Sequence, residues 1–139
     1  MLKLLSMSKF LELQCFDSET GSLTVFEKHL PGCIKRVFYI HCEAGKVRGG
    51  HRHKKTWQAI TCLTGSCRIY VNDGKQEIEY FLTSPEQCLI LHPEDWHIMD
   101  SFSESCILLV LANEFYDASD YIDEPYPFTN ISKNADTFS

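Results

Sequence analysis

The sequence lacks the features of several specialised protein classes. No uninterrupted apolar run is long enough to cross a bilayer, and residues 1–13 resemble no signal peptide because Lys3, Lys9 and Glu12 interrupt their apolar residues. The seven cysteines are odd in number and contain no CxxC pair, so we expect reduced core thiols rather than a disulfide framework. These absences predict a cytoplasmic protein with no membrane partner.

Basic residues are also scarce, with 13 Lys and Arg against 19 Asp and Glu and a formal net charge of −6. Nucleic-acid affinity rests on many Lys and Arg contacts to phosphates, so general nucleic-acid binding is not expected. The segment from Lys46 to Lys55 nevertheless holds five bases and no acid, whereas residues 114–124 hold five acids and no base. Such a local basic patch favours a small anionic ligand, although a solvated surface would produce the same pattern.

We find no internal repeat, no linker and no second domain in the 139 residues. We therefore expect one domain over residues 1–139, with its core at about 18–126 and a mobile tail at 127–139. Short β-rich runs separated by turn residues predict an all-β sandwich or barrel; they cover residues 23–27, 36–41, 57–63, 67–72, 77–82, 88–91 and 106–112. The apolar run 107–111 predicts a strand buried on both faces, and one short helix is expected near residues 114–122.

The pair His51 and His53 is the most informative feature. In a strand, residues two apart point to the same face, so the two imidazoles lie side by side, where they can hold a metal, relay a proton or do both. With Gly45 and Gly65 they match the first cupin motif, G-x5-H-x-H-x3,4-E-x6-G, except that Gln58 replaces the glutamate. Residues 91–97 resemble the second cupin motif, without its glycine and with His97 one residue early.

The replacement at Gln58 bears on the metal that many cupins carry. Hard divalent ions favour an anionic carboxylate beside the imidazoles, and an amide offers only a neutral oxygen. The sequence therefore predicts acid and base catalysis with no metal and no other cofactor.

A closer resemblance runs from about residue 18 to 126. It is carried by Gly21-Ser22-Leu23, residues 34–40, Arg48-Gly49, residues 51–55, residues 65–68, Ser84-Pro85, Trp96-His97, residues 110–112, Tyr116-Asp117 and residues 120–122. These motifs, in this order, resemble the sugar 3,4-ketoisomerases. The resemblance implies a cupin or RmlC-like jelly-roll barrel and an isomerase that moves a keto group between carbons 4 and 3 of a dTDP-linked 4-keto-6-deoxyhexose. It also implies a homodimer with exchanged strands. Gly50 and Trp57 depart from the family pattern.

The resemblance implies the catalytic roles. His51 is expected to be the base at carbon 3, and His53 its partner. His97 would either deliver the proton at carbon 4 or line the pocket. Tyr39, on the preceding strand, would donate its hydroxyl to the developing oxyanion, although core packing explains it equally well.

The substrate contacts are expected from the basic segment and its neighbours. Arg48 would grip the diphosphate, Arg68 would add a second positive charge, and Lys54 lies within the basic segment. Gln58 would hydrogen-bond a sugar hydroxyl or orient His53. Trp57 is a candidate substrate contact whose common role is core packing.

Two other functions fit the same residues. A cupin epimerase acting on a nucleotide sugar would need the same base and oxyanion donor. A cupin that binds carbohydrate without catalysis is the third possibility, because fold alone does not fix function. No motif supports a catalytic role for His29, His41 or His92, which we expect to be structural or surface residues.

Overall fold

A computed structural model describes residues 8–127, and its regular structure is almost entirely β-strand. The strands are β1 Lys9–Glu12, β2 Gln14–Ser18, β3 Gly21–Val25, β4 Arg36–His41, β5 Arg48–His53, β6 Gln58–Thr64, β7 Cys67–Asn72, β8 Glu77–Leu82, β9 Gln87–Leu91, β10 Trp96–Asp100, β11 Ile107–Ala112 and β12 Tyr121–Ile122. The expected all-β class is confirmed. The expectation of a mobile tail falls, apart from residue 127, outside the described residues.

The strands form two five-stranded antiparallel sheets and a separate hairpin. The first sheet has the order β1-β9-β6-β11-β4 and the second the order β12-β5-β10-β7-β8, while β2 and β3 pair with each other. One cluster of buried apolar side chains draws on strands of both sheets, which therefore pack face to face. Because β1 belongs to the first sheet, the core begins before residue 18, where the sequence had placed its start.

Strand β11 is less buried than its apolar sequence predicts. Leu108 and Val110 are buried in the interior, whereas Leu109 and Leu111 are only half-buried on the outer face of the first sheet. The prediction of burial on both faces was therefore only partly right, since an outer groove remains open beside these leucines.

The helix expected near residues 114–122 was wrong. Only a three-residue 3-10 turn forms, at Ala118–Asp120, and Asp117 caps it by accepting the backbone N–H of Ser119. The next two residues are extended and pair with β5, so that Tyr121 lies opposite His53. Pairing with an existing strand satisfies backbone groups that an exposed helix of this length would leave to water. No helix within residues 8–127 has the length and apolarity that a membrane span requires.

Candidate active site

A bulge in β5 directs the first histidine into the barrel. Gly49 and Gly50 have φ values of +92° and +81°, and the register between β5 and β10 shifts at this point. A Cβ on Gly49 would lie 2.9 Å from the carbonyl oxygen of His97, so a side chain is excluded there. The bulge leaves His51 directly opposite His97.

Four rings from three strands meet behind this bulge. The ring centroid of His51 lies 5.0 Å from that of His97 and 5.2 Å from that of His53. Tyr121 of β12 covers both β5 histidines, with centroid distances of 4.7 Å to His51 and 4.6 Å to His53. The predicted pair is thus part of a cluster that includes the predicted His97 and the unpredicted Tyr121.

The cluster opens into a cavity of about 420 Å³, large enough for part of a nucleotide sugar. Five of the predicted site residues line it: Tyr39, Arg48, His51, Gln58 and His97. Among the residues that the structure describes, the lining also includes Arg36 and His41 but no Asp or Glu, so the cavity is cationic. His41 had been expected to be structural or superficial. A cationic cavity with stacked imidazoles suits an anionic substrate that undergoes proton transfer.

His53 lies behind the cavity rather than in its lining. Its Nδ1 is 2.9 Å from Oδ2 of Asp120, and both side chains are only 3% exposed. The same carboxylate accepts the Thr56 hydroxyl and the backbone N–H groups of Lys54 and Lys55, at 3.1 and 2.8 Å. Burial would raise the pKa of Asp120, but these hydrogen bonds hold it below its usual range, so the group is a carboxylate.

This carboxylate fixes the tautomer of His53. Since a carboxylate only accepts, Nδ1 of His53 carries the proton and Nε2 keeps its lone pair. Nε2 is buried and has no hydrogen-bond partner among residues 8–127. Burial lowers the pKa of His53, although the hydrogen bond to Asp120 acts in the opposite direction. The net lowering keeps the His53 ring neutral.

The two cavity histidines are also neutral. Burial and the neighbouring His53 lower the pKa of His51 to about 4. Burial and His51 hold the pKa of His97 well below its usual value. Nδ1 of His97 donates to the backbone carbonyl of Asp95 at 3.1 Å, which leaves its Nε2 as an acceptor. At neutral pH all three imidazoles are therefore free bases.

Two arginines supply the positive charge of the cavity. Nε of Arg48 is buried and lacks a hydrogen-bond partner among the residues that the structure describes. The guanidinium of Arg36 lies over the rings of Phe38 and Tyr116, at 4.4 and 5.2 Å from their centroids. Stacking leaves the edge of that guanidinium free for an anion.

Three predicted substrate contacts lie elsewhere. Arg68 makes two bonds to Asp100, at 2.8 and 2.6 Å, and a third to Glu79, so its charge is already paired outside the cavity. Trp57 stacks on His92, at a centroid distance of 4.1 Å, and packs on the outer face of the first sheet. The side chain of Lys54 is exposed, and only its backbone N–H approaches the site. The structure corrects these three assignments.

The histidines do not form a metal site of the cupin kind. A metal site needs at least three ligand atoms close together. Within residues 8–127, one group of His, Cys, Asp or Glu residues has three ligand atoms within 4.8 Å of one another, and it consists of cysteines outside the cavity lining rather than of the histidines. His53 already uses Nδ1 on Asp120, and Gln58 offers no charge. The residues therefore do not fit a catalytic metal.

Comparison with known proteins identifies the family. The family described as "FdtA: WxcM-like, C-terminal" matches residues 6–133. This chain belongs to the FdtA family. A curated relative from Aneurinibacillus thermoaerophilus, TDP-4-oxo-6-deoxy-alpha-D-glucose-3,4-oxoisomerase, is 46% identical over 105 residues, which cover 73% of this chain and 76% of the relative. The resemblance to sugar 3,4-ketoisomerases is thereby confirmed.

Solved structures of sugar 3,4-ketoisomerases share the fold. The WlaRB TDP-quinovose 3,4-ketoisomerase of Campylobacter jejuni is 39% identical, with a TM-score of 0.80 over 84% of this chain and 92% of that one. QdtA of Thermoanaerobacterium thermosaccharolyticum, a sugar 3,4-ketoisomerase solved with TDP, is 36% identical, with a TM-score of 0.80 over 88% and 90%. At 12% identity, RmlC of Legionella pneumophila still gives a TM-score of 0.74 over 95% and 82%, which confirms the RmlC-like fold.

Proposed function

We propose that this protein is a sugar-nucleotide 3,4-ketoisomerase that moves the keto group of a dTDP-linked 4-keto-6-deoxyhexose from carbon 4 to carbon 3. The observation that carries the proposal is the neutral His51 facing His97 in a cationic cavity, which no carboxylate of residues 8–127 lines. The relatives named above support the substrate class. Proton transfer on such a substrate needs a base, a proton donor and an anion grip, and this cavity holds candidates for each.

The first half of the reaction removes the carbon 3 proton. His51 takes that proton, the C–H electron pair forms the carbon 3–carbon 4 double bond, and the carbon 4 oxygen becomes an oxyanion. A tyrosine hydroxyl donates to this oxygen, as a preorganised donor does. Tyr121, whose ring in the lining lies 4.7 Å from that of His51, is better placed for this than Tyr39, which is 65% exposed on the outer face of the first sheet. His51 enters the step as a free base because its pKa lies below the neutral range.

The second half returns a proton to carbon 4. The carbon 3 hydroxyl proton passes to the carbon 4 oxygen as the carbon 3 carbonyl forms, and carbon 4 takes back the proton that His51 removed. The base is thereby regenerated, and neither the net charge nor the overall oxidation state changes. His97 is the candidate relay, because it lines the cavity opposite His51 whereas His53 does not. Its unprotonated Nε2 takes the proton from His51 and then donates it to carbon 4. Asp120 fixes the orientation of His53, whose ring packs against that of His51 and whose Nε2 keeps its lone pair.

Arg48 binds the diphosphate in this account, as its position in the cavity and its unpartnered buried Nε support. Arg48→Ala should raise KM about 10- to 100-fold with a smaller change in kcat, because a charge-assisted hydrogen bond contributes about 1.5–3 kcal/mol to binding. Steady-state kinetics with the nucleotide sugar measure both constants. Arg68→Ala is the matched control, since that arginine is paired outside the cavity; an equal KM for both variants would remove Arg48 from the site.

Catalysis is proposed to need no metal, because the three imidazoles do not converge on one point and Gln58 carries no charge. Activity should therefore persist after prolonged treatment with EDTA, when assayed well below the melting temperature. Metal analysis of the treated sample accompanies the assay. Loss of activity that Mn²⁺ or Fe²⁺ restores would contradict the proposal.

We also infer a homodimer that exchanges the β2–β3 hairpin. The hairpin pairs only with itself among the described strands, and its Phe16 and Leu23 are 52% and 59% exposed. On the outer face of the first sheet, Val37 and Tyr39 are 58% and 65% exposed. Apolar surface of this extent on neighbouring elements favours a second copy, which would cover Val37 and Tyr39.

Sedimentation velocity tests the dimer. Val37→Glu and Leu23→Glu should each shift the protein toward monomer, because a buried unpaired carboxylate is costly. Phe81→Glu is the matched control, since Phe81 is 55% exposed on β8 of the other sheet. A wild-type monomer at micromolar concentration, or dissociation by the control alone, would contradict this interface.

The five buried free thiols favour the reducing cytoplasm as the compartment of this protein.

The position of the carbonyl in the product tests the function itself. We expect carbon-13 NMR of dTDP-4-keto-6-deoxyglucose incubated with the protein to show the carbonyl moving from carbon 4 to carbon 3. An epimerase would keep the carbonyl at carbon 4 and invert a neighbouring centre, and a binding module would change neither. Either of these results would replace the proposed function.

A further inference from the structure

The end of the barrel interior opposite the cavity is lined by cysteines. On β4, β6 and β11, every second side chain points into the barrel. Followed away from the cavity, each of these three series of inward side chains ends in a cysteine: Phe38, Ile40 and Cys42; Gln58, Ile60 and Cys62; Val110, Leu108 and Cys106. Cys67, the first residue of β7, adds a fourth thiol from the second sheet. The proposed reaction uses none of these groups.

Three of the thiols converge closely. The Sγ atoms of Cys62, Cys67 and Cys106 all lie within 4.8 Å of one another, and those of Cys62 and Cys106 are 3.6 Å apart. All three residues are at most 3% exposed. Cys42 adjoins them, because its backbone N–H donates to the Cys106 carbonyl at 2.9 Å and its side chain packs in the same core cluster.

Two loop segments hold the thiols in place. The turn between β6 and β7 bonds to the segment before β11 through Ser66 N–H to Ser103 Oγ, at 2.8 Å, and Ser103 N–H to Ser66 O, at 3.0 Å. A Cβ on Gly65 would lie 2.4 Å from Ser103 Oγ and 3.0 Å from Cys106 Cα, so the two segments are in close contact. The cysteines are therefore fixed by backbone contacts around them, as a preformed ligand set requires.

We propose that Cys62, Cys67 and Cys106 bind a Zn²⁺ ion, with Cys42 as the neighbouring candidate for the fourth position. Zinc lies about 2.3 Å from thiolate sulfur in proteins, which places sulfur atoms of one tetrahedral site about 3.8 Å apart. The Cys62–Cys106 separation of 3.6 Å matches this spacing, and the remaining separations, all within 4.8 Å, are short enough for one ion to reach the three sulfur atoms. Each ligating thiol releases its proton to solvent on binding, and no atom changes oxidation state. A soft sulfur site of this kind selects Zn²⁺ over the hard ions of catalytic cupin centres.

Such an ion would act on stability. It would join β6, β7 and the segment before β11, and so connect the two sheets at the end of the barrel opposite the cavity. Since the unfolded chain holds no preformed site, binding to the folded chain raises the melting temperature. The inference does not rest on the proposed reaction, because none of the three cysteines lines the cavity.

Reduced, metal-free wild-type protein should bind one Co²⁺ per chain with the visible and ultraviolet bands of a tetrahedral thiolate complex, and Zn²⁺ should displace it. Zn²⁺ should also raise the melting temperature. Cys62→Ser and Cys106→Ser should weaken Zn²⁺ binding more than about 100-fold, beyond the 10- to 100-fold effect of losing an outer-shell partner. Cys33→Ser, at an exposed thiol, and Cys88→Ser, in a separate core cluster, should bind as the wild type does.

X-ray absorption on the zinc-loaded wild-type protein needs no variant and covers the case in which a cysteine variant fails to fold. At least three sulfur neighbours at about 2.3 Å are expected. A shell of nitrogen and oxygen, no retained zinc after gel filtration, or equal affinity in Cys62→Ser and Cys33→Ser would each overturn the zinc site. Because His51→Asn should leave this binding unchanged, failure here is distinguishable from failure of the proposed reaction.

Discussion

His51→Asn is expected to lower kcat by about 10³- to 10⁴-fold, the upper part of the range for a general base, because a proton next to a ketone is only weakly acidic. The side chain lines the cavity and is not fully buried, so the fold should survive the change. Nucleotide binding should also persist, since Arg48, the residue proposed to bind the diphosphate, is a separate side chain. Steady-state kinetics and calorimetric titration with TDP measure the two effects.

A matched histidine variant separates a specific effect from a general one. His29→Asn removes an exposed imidazole that contacts Phe26 and does not line the cavity, and should leave kcat unchanged. Full isomerase activity in the His51 variant would contradict its role as base. Lost TDP affinity would show instead that the substitution had damaged the site.

Asp120→Asn is expected to lower kcat by about 10²- to 10⁴-fold by changing the tautomer of His53. Each oxygen of this carboxylate accepts two donors, so an amide must turn its NH₂ toward one of the two pairs. The backbone N–H groups of Lys54 and Lys55 are fixed and need the oxygen. The amide NH₂ then faces Nδ1 of His53, which forces the ring proton onto Nε2, beside His51.

Nitrogen-15 NMR of the His53 ring reports this tautomer directly, which a purely structural role of Asp120 would not change. The matched control is Asp117→Asn, three residues earlier on the same turn, because Asp117 is exposed and asparagine caps such turns as well as aspartate does. An unaltered His53 tautomer with normal kcat in the Asp120 variant would show that the ion pair only stabilises the fold. Urea unfolding of both variants measures that contribution.

Much of the fold follows from the sequence because its strands are short, alternating and bounded by turns. The runs at residues 36–41, 67–72 and 77–82 coincide with β4, β7 and β8. Strands β1 and β2 were missed because each is only four or five residues long and contains few apolar residues. The helix near residues 114–122 failed because Asp120 and Tyr121 are held by β5, a contact between residues distant in sequence that local patterns do not show.

The candidate site was predictable where a motif fixed the residue and its strand. The cupin frame located His51, Gln58 and His97, and the basic segment located Arg48. Asp120 and Tyr121 fell within the recognised resemblance but were assigned to a helix, so their approach to the histidines was lost. Arg68 was misplaced because a charge on a strand next to the site does not show the partners, Asp100 and Glu79, that already neutralise it.

Deuterium exchange at carbon 3 of the keto sugar tests the central claim, that His51 removes this proton, most directly. The substrate is incubated in deuterated water with wild-type protein and with His51→Asn, His53→Asn and His97→Asn, and proton NMR follows the carbon 3 signal before net isomerisation. The account predicts that the His51 variant loses exchange, while the His97 variant still exchanges the carbon 3 proton but forms little product. Wild-type exchange in the His51 variant, with exchange lost in the His53 or His97 variant, would show that another histidine is the base.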